Sequence, residues 1–316
     1  MLIVARYRQG MSNITFPHIS LGTTGATLVI AASAACFGLV PIFVRELQGL
    51  GAGPATIALY RYGFSVLFLL PFLPFEKRKR GGALLMAGAG LVLGLSLIGH
   101  LEAIRVAPVA AAGVVYMSYP VFAALFAWGL LRQALTWRSF ASAGLVILAA
   151  GLLLDPSSLS PEALQALLWA IPAPIAFGFL IVVLSGLAGE LNSLERTACG
   201  LSGSVIGLLP LAINEGQGSV LPASTGQWGL IVAMGLGTAL VPQILYTIAC
   251  QKVGPVRTAA AGSFELPTMF LVGWLVFGEA IGLRELLSAA VVLSAILIAP
   301  SIVAGPRLDR EVAPTT

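Results

Sequence analysis

Charge is what this 316-residue sequence has least of. Only 9% of its residues are Asp, Glu, Lys or Arg, against about 25% in a soluble domain, whose surface must satisfy water. A chain of this size with so little charge cannot clothe its core for water, so its covering must be lipid. Histidine is nearly missing as well: there are two, with no HExxH and no cluster of aspartates, so metal-dependent hydrolysis and Mg²⁺–phosphate chemistry lack a ligand set. No Walker A pattern occurs. Gly51–Ala52–Gly53 and Gly235–Leu236–Gly237 are not followed by the third glycine of a dinucleotide fingerprint. Cys36, Cys199 and Cys250 stand singly in or beside apolar stretches without CxxC spacing, as packing residues rather than disulfides or metal ligands. The apolar run Leu2–Ala5 is too short for a signal-peptide core. These absences argue against a membrane enzyme, and no cofactor or metal is expected.

What the chain does have is apolar length. Hydrophobic residues make up 58% of it, and mean hydropathy is +0.97. A helix crossing a ~30 Å hydrocarbon core needs about 20 mainly apolar residues. Ten segments qualify, at roughly 24–44, 54–74, 82–101, 109–131, 136–154, 162–185, 196–214, 227–249, 256–278 and 283–303. With the N-terminus inside, the cytoplasmic side holds Arg6, Arg8, Lys77, Arg78, Lys79, Arg80, Arg132, Arg138, Arg196, Lys252, Arg257, Arg307 and Arg310, and the other side only Arg45, Arg105 and Arg284. That asymmetry obeys the positive-inside rule and sets both termini in the cytoplasm. It also accounts for the basic cluster Lys77–Arg80, so nucleic acid is not an expected partner. Membrane lipid is, and the inner membrane is the expected location.

The chain also contains itself twice. Val106–Ala107–Pro108–Val109 returns as Val253–Gly254–Pro255–Val256, and the same offset of 147 carries Arg105 onto Lys252, Ala112 onto Ala259 and Pro120 onto Pro267. Two sets of five spans place the second set upside down, because five is odd. The expected architecture is all-α: ten transmembrane helices as two inverted-topology repeats, 24–155 and 156–303, between cytoplasmic segments 1–23 and 304–316. Matched, proline-interrupted segments in two halves point to a secondary transporter with its site near the midplane. A channel would more often show rings of like residues in an oligomer. ATP-driven transport would need a separate ATPase subunit, of which the sequence gives no sign.

Few residues remain to carry chemistry at that depth. Glu265 lies nine residues into its helix, ~14 Å from the cytoplasmic boundary. An acidic residue there usually faces the bundle interior or a water-filled cavity; it suits proton coupling or a substrate amine, or else braces helices as a structural carboxylate. Arg61, ~10 Å from the outer boundary, is its natural partner. It could clamp a substrate carboxylate or phosphate in bidentate fashion or snorkel to the interface, with Tyr60 and Tyr62 beside it. Pro120 and Pro267 each free the carbonyl four residues earlier, Tyr116 and Ser263, and Pro172, Pro174 and Pro242 do the same in the sixth and eighth segments. Such sites either shape a kink or line a cavity. Tyr116 and Tyr119 share a helix face at i, i+3. Trp169, Tyr246, Phe264 and Trp274 are candidates to complete an aromatic lining, and His100 reads as an interfacial residue. Gly90–x3–Gly94 and Gly203–x3–Gly207 permit close helix contact within the bundle.

Three groups of residues carry a family resemblance over nearly the whole chain. Phe37–Gly38 is followed seven positions later by Arg45, Arg61–Tyr62 forms a basic–aromatic pair in the second segment, and Tyr246, Lys252, Val253 and Glu265 lead to Gly278–Glu279. In this order they resemble the EamA-type domains of the drug/metabolite transporter superfamily. Leu266 separates Glu265 from Pro267, and Leu131–Arg132 stands where the family's fourth helix often closes with Gly–Glu. The resemblance implies a ten-helix carrier of small metabolites, often an exporter. The sequence thus leads to an alternating-access carrier of an amino acid or related amphipathic compound, with protons as a further partner; efflux of hydrophobic drugs is the alternative.

Overall fold

Glycine and proline decide where the long apolar runs stop being single helices. The computed structural model describes residues 22–107, 109–152, 159–215, 222 and 224–301, and among them every regular element is helical. Arg6, Arg8, His18, Arg307, Arg310, the C-terminal segment and nearly all of the N-terminal one lie outside the described residues. The helices are α1 (Thr23–Phe37), α2 (Val40–Gly49), α3 (Pro54–Leu69), α4 (Arg80–Val106), α5 (Val109–Tyr116), α6 (Tyr119–Leu131), α7 (Trp137–Gly151) and α8 (Pro161–Trp169), then α9 (Pro172–Val182), α10 (Ser193–Asn214), α11 (Thr225–Gly235), α12 (Val241–Val253), α13 (Pro255–Gly262), α14 (Glu265–Phe277) and α15 (Leu283–Ile298).

End to end these form eight units long and apolar enough to cross a membrane: Thr23–Gly49, Pro54–Phe72, Lys77–Val106, Ala111–Leu131, Pro161–Leu187, Ser193–Asn214, Thr225–Val253 and Pro255–Phe277. The chain is a multi-pass membrane protein. α7 and α15 are apolar but shorter, 15 and 16 residues, or about 23 Å at 1.5 Å per residue.

Most units are interrupted. α1 gives way to α2 at Gly38–Leu39, with Pro41 in the first turn of α2. α5 passes to α6 at Met117–Ser118, just before Pro120, and α13 passes to α14 at Ser263–Phe264, just before Pro267. These two breaks lie 146 residues apart, one short of the 147 that separates the two prolines. Proline removes one N–H and clashes with the preceding turn, which is the reason for both. In one respect the expectation fails: the carbonyl of Ser263 is taken by the N–H of Leu266 at 3.0 Å, because the chain tightens by one residue at the break. π turns at Val183–Leu187 and Leu236–Leu240 interrupt the sixth and eighth segments.

Small residues make two of the crossings in the bundle close. α4 and α10 meet backbone to backbone. A Cβ on Gly90 would lie 1.8 Å from the carbonyl oxygen of Gly200, and one on Gly203 1.9 Å from that of Ala87. Gly94 and Gly207 stand at the same seam, against Ser204 and Leu91, and the Ser204 hydroxyl donates to the Gly90 carbonyl at 2.8 Å. Both small-residue motifs therefore serve one internal contact. α7 and α15 run antiparallel and exchange matched bonds: Ser142 donates to the Ala295 carbonyl at 3.0 Å, and Ser288 to that of Ala149 at 2.8 Å.

Helix ends use side chains from far along the chain. Glu215, at the end of α10, accepts from the Ala55 and Thr56 N–H groups at 2.8 and 3.0 Å and from the Thr56 hydroxyl at 2.9 Å. A carboxylate there satisfies the open donors of α3 and meets the positive end of its dipole. Asn192 and Glu195 form a capping box that starts α10 at Ser193, earlier than the expected 196.

Candidate functional site

The breaks matter because they converge. Gly38 lies where a Cβ would be 2.6 Å from Thr268 Cβ and 2.8 Å from the Glu265 carbonyl, so the interruption between α1 and α2 is pressed onto the first turn of α14. That contact needs glycine. It sets Phe37 and the Glu265 side chain in the wall of one cavity between the helices, which measures about 930 Å³ with the open solvent at its mouth included. Aliphatic residues such as Val40, Ile57, Leu93 and Leu97 form much of the wall. Its charged members are Arg61, Arg196 and Glu265.

Arg61 is held by a neighbour's defect. Pro242 has no N–H to offer the Thr238 carbonyl four residues earlier, and the Arg61 guanidinium takes that carbonyl through Nη2 at 2.7 Å and Nε at 3.2 Å. Its Nη1 donates to the Tyr62 hydroxyl at 3.4 Å, and the guanidinium carbon lies 5.2 and 5.8 Å from the Tyr62 and Phe37 ring centres. The rings' electron-rich faces add to the site's hold on the cation. Arg61 therefore does not form the expected ion pair with Glu265. Glu265 is 7% exposed, and among the described residues no cation or hydrogen-bond donor reaches its carboxylate.

An aromatic wall stands beside these charges. His100 stacks on Tyr116 with centroids 4.5 Å apart, and Tyr116 stacks on Phe177 at 5.5 Å. Tyr119 meets Phe177 edge-on at 4.9 Å, and Phe177 reaches Tyr246 at 6.3 Å. Tyr119 donates to the Ala259 carbonyl at 3.1 Å. Two buried polar atoms in this group have no partner among the described residues: the Tyr246 hydroxyl and His100 Nδ1.

A lipid-covered helical bundle with charged groups around an internal cavity is the build of a carrier, and the sequence comparison decides which kind. The profile of the EamA-like transporter family matches residues 24–154 and again 164–299. The chain belongs to that family. Among relatives of this EamA protein, one named only as an uncharacterized transporter, from Archaeoglobus fulgidus, is 25% identical over 85% of this chain and 94% of its own. The pseudopaline exporter of Pseudomonas aeruginosa is 24% identical over 81% of this chain and 88% of its own. The riboflavin transporter of Rhizobium johnstonii is 26% identical, covering 88% and 91%. A solved crystal structure superposes with a TM-score of 0.67 at 15% identity, covering 87% of this chain and 96% of that one, which speaks to the fold alone. Family and relatives are transporters, so the protein is not an enzyme.

The EamA motif residues, known from sequence only by their order, meet in space. Arg45 pairs with Glu279 at 3.5 Å and lies over Phe277 at 4.2 Å, and Phe37 approaches Tyr246 at 5.8 Å. Of the candidate site residues, Arg61, Tyr116 and Glu265 reach the cavity wall. Tyr119 and Tyr246 are fully buried behind it. Tyr62, not Tyr60, lines it, since helical residues two apart point about 200° apart around the axis; the Tyr60 hydroxyl is buried without a partner among the described residues. Phe264 is half-buried at the α13–α14 break and off the wall. Trp169 is 69% and Trp274 50% exposed; both face outward, so neither is part of an aromatic lining. Pro120, Pro174 and Pro242 are buried, Pro267 is half-buried and Pro172 exposed.

Two wall residues were misread in the sequence. His100, expected at the interface, is 6% exposed inside the bundle; α4 continues to Val106, which moves the helix end past it. Arg196, counted among the cytoplasmic loop charges, is 7% exposed within α10. The Asn192–x–x–Glu195 pattern signals that helix start and puts Arg196 in its first turn.

Proposed function

We propose that this protein is a secondary carrier that moves a small amphipathic metabolite, an amino acid or a close relative, out of the cell across the inner membrane by alternating access. The observation that carries this reading is the internal cavity on which an unpaired Glu265, a carbonyl-anchored Arg61 and the Tyr116 ring converge. Arg61 anchors a substrate acid group, Glu265 takes a substrate amine or a proton, and the aromatic wall holds the apolar part. The ten-span count adds α7 and α15 to the eight long units. Inverted repeats with both termini cytoplasmic account for the Ser142–Ala295 and Ser288–Ala149 bonds: an offset of 146 relates both the donors and the acceptors, and the helices are antiparallel, as a two-fold axis in the membrane plane requires. Export agrees with the name of the pseudopaline relative.

The largely aliphatic cavity wall favours a second reading, efflux of hydrophobic compounds. One assay separates the two. Proteoliposomes preloaded with an isotope-labelled amino-acid pool should show saturable release that a proton gradient accelerates, lowered about tenfold or more in Arg61→Ala and Glu265→Gln, the loss expected for one charged hydrogen bond. Release indifferent to the gradient and unchanged in Glu265→Gln refutes proton exchange at that residue. Transport of hydrophobic dyes that survives Arg61→Ala, without amino-acid release, favours efflux of hydrophobic compounds.

A further inference from the structure

Arg196 is a cation buried in the cavity wall with no anion beside it among the described residues. Its Nε donates to the Leu191 carbonyl at 2.8 Å, Nη2 to that of Gly189 at 3.0 Å, and Nη1 to that of Leu184. The π turn and the left-handed Gly189, at φ +59°, turn these three carbonyls toward one point. The nearest acid in sequence, Glu195, is committed elsewhere: it accepts from Lys79 at 2.8 Å and from the Asn192 N–H at 2.9 Å. A guanidinium carries five N–H donors and stays charged. Three are engaged, which leaves two among the described residues. Gln243, half-buried on the same wall, has a side-chain amide with no hydrogen-bond partner among them.

Burying a charge without a counter-ion is unfavourable, and carbonyl dipoles offset only part of that. The remainder is a standing attraction for an anion, strengthened by the poor screening inside the bundle. The cavity wall as a whole carries two guanidinium groups, Arg61 and Arg196, against one carboxylate, Glu265.

We propose that Arg196 and Gln243, both in the cavity wall, form a second anion subsite, and that the transported metabolite is an acid with net negative charge rather than a neutral zwitterion or a cation. Resting on the carrier reading above, this narrows its substrate class. Arg61 and Arg196 both line the cavity and, in this proposal, serve as successive holds for the acid group as the substrate passes.

The test is thermal unfolding of the full-length protein in detergent at constant ionic strength. The probes are glutarate and L-glutamate, each with its amide counterpart, glutaramide and L-glutamine. The acids should raise Tm by about 2–4 °C at ten times Kd, and the amides should not. Arg196→Gln should weaken acid binding about tenfold or more. Gln243→Ala, which leaves the Arg196–carbonyl bonds intact, should weaken it less, and Glu265→Gln should strengthen binding of glutarate, which has no amine for Glu265 to hold, by removing the opposing charge. If Arg196→Gln does not fold, Gln243→Ala and Glu265→Gln decide. The proposal is overturned if neither acid stabilises the wild type beyond chloride, if the amides stabilise equally, or if the folded subsite variants bind the acids as the wild type does. Transport lost in Arg61→Ala with acid binding indifferent to Arg196 and Gln243 overturns this inference alone. Transport intact in both Arg61→Ala and Glu265→Gln overturns the central-site reading alone.

Discussion

Replacing Gly90 by alanine adds one methyl group at the tightest point of the α4–α10 crossing. Its Cβ would lie 1.8 Å from the Gly200 carbonyl oxygen, where an ordinary C···O contact is about 3.3 Å. The helices must part by about 1.5 Å, the difference between those distances. Gly90 and Gly200 are both backbone at this point, so no side chain can rotate away. Separation also stretches the Ser204–Gly90 bond from 2.8 Å, a contact of about 0.6 kcal/mol between membrane helices. Forced overpacking adds about 1–3 kcal/mol, for a total loss of about 2–4 kcal/mol and a Tm lower by roughly 5–12 °C. The control lies on the same helix. Gly88 is exposed and has nothing within 4 Å of its Cβ position, so Gly88→Ala should leave stability unchanged or raise it by about 0.5–1 kcal/mol through helix propensity. Thermal unfolding of the two variants side by side in one detergent reads the difference. A Gly90→Ala protein as stable as Gly88→Ala would refute the backbone contact. Because α4 and α10 also supply Leu93, Leu97 and Gly200 to the cavity wall, residual folded Gly90→Ala protein should transport more slowly as well.

Two further outcomes follow from the bonds described. Pro242→Ala restores an N–H that competes with Arg61 for the Thr238 carbonyl; α12 should become more stable while release from proteoliposomes falls, and an unchanged rate would show that Arg61 needs no such anchor. Glu215→Ala removes the remote cap of α3 and should lower stability by about 1–2 kcal/mol, seen as a lower Tm that Glu215→Gln partly restores; equal loss in both variants would show that charge at the helix end, not hydrogen bonding, is what Glu215 contributes.

Much of this molecule follows from composition and periodicity. A chain with 9% charged residues has no choice but lipid, and in lipid its backbone must satisfy itself as helix. Proline marks the breaks because its missing N–H is a local fact, legible at Pro120, Pro267 and Pro242 without coordinates. The glycine pairs marked a close contact for the same reason: absence of a side chain is a property of the residue alone. The family could be read from motif order, and the matches over 24–154 and 164–299 show it.

Long-range partners could not be read this way. The sequence offered Glu265 as the partner for Arg61, since opposite charges at similar depth attract. Only the packing of α3 against the π turn shows that a carbonyl freed by Pro242 lies closer. It offered Arg196 as a loop charge, since positive residues near span ends usually obey the positive-inside rule. Only the fold of residues 184–191 shows three carbonyls gathered around its guanidinium. His100 and Trp169 were misplaced for one shared reason. In a chain apolar on nearly every helix face, hydropathy distinguishes the membrane from water but not the lipid face from the cavity face. Which face a residue occupies depends on what the other helices place against it, and tertiary structure alone decides that.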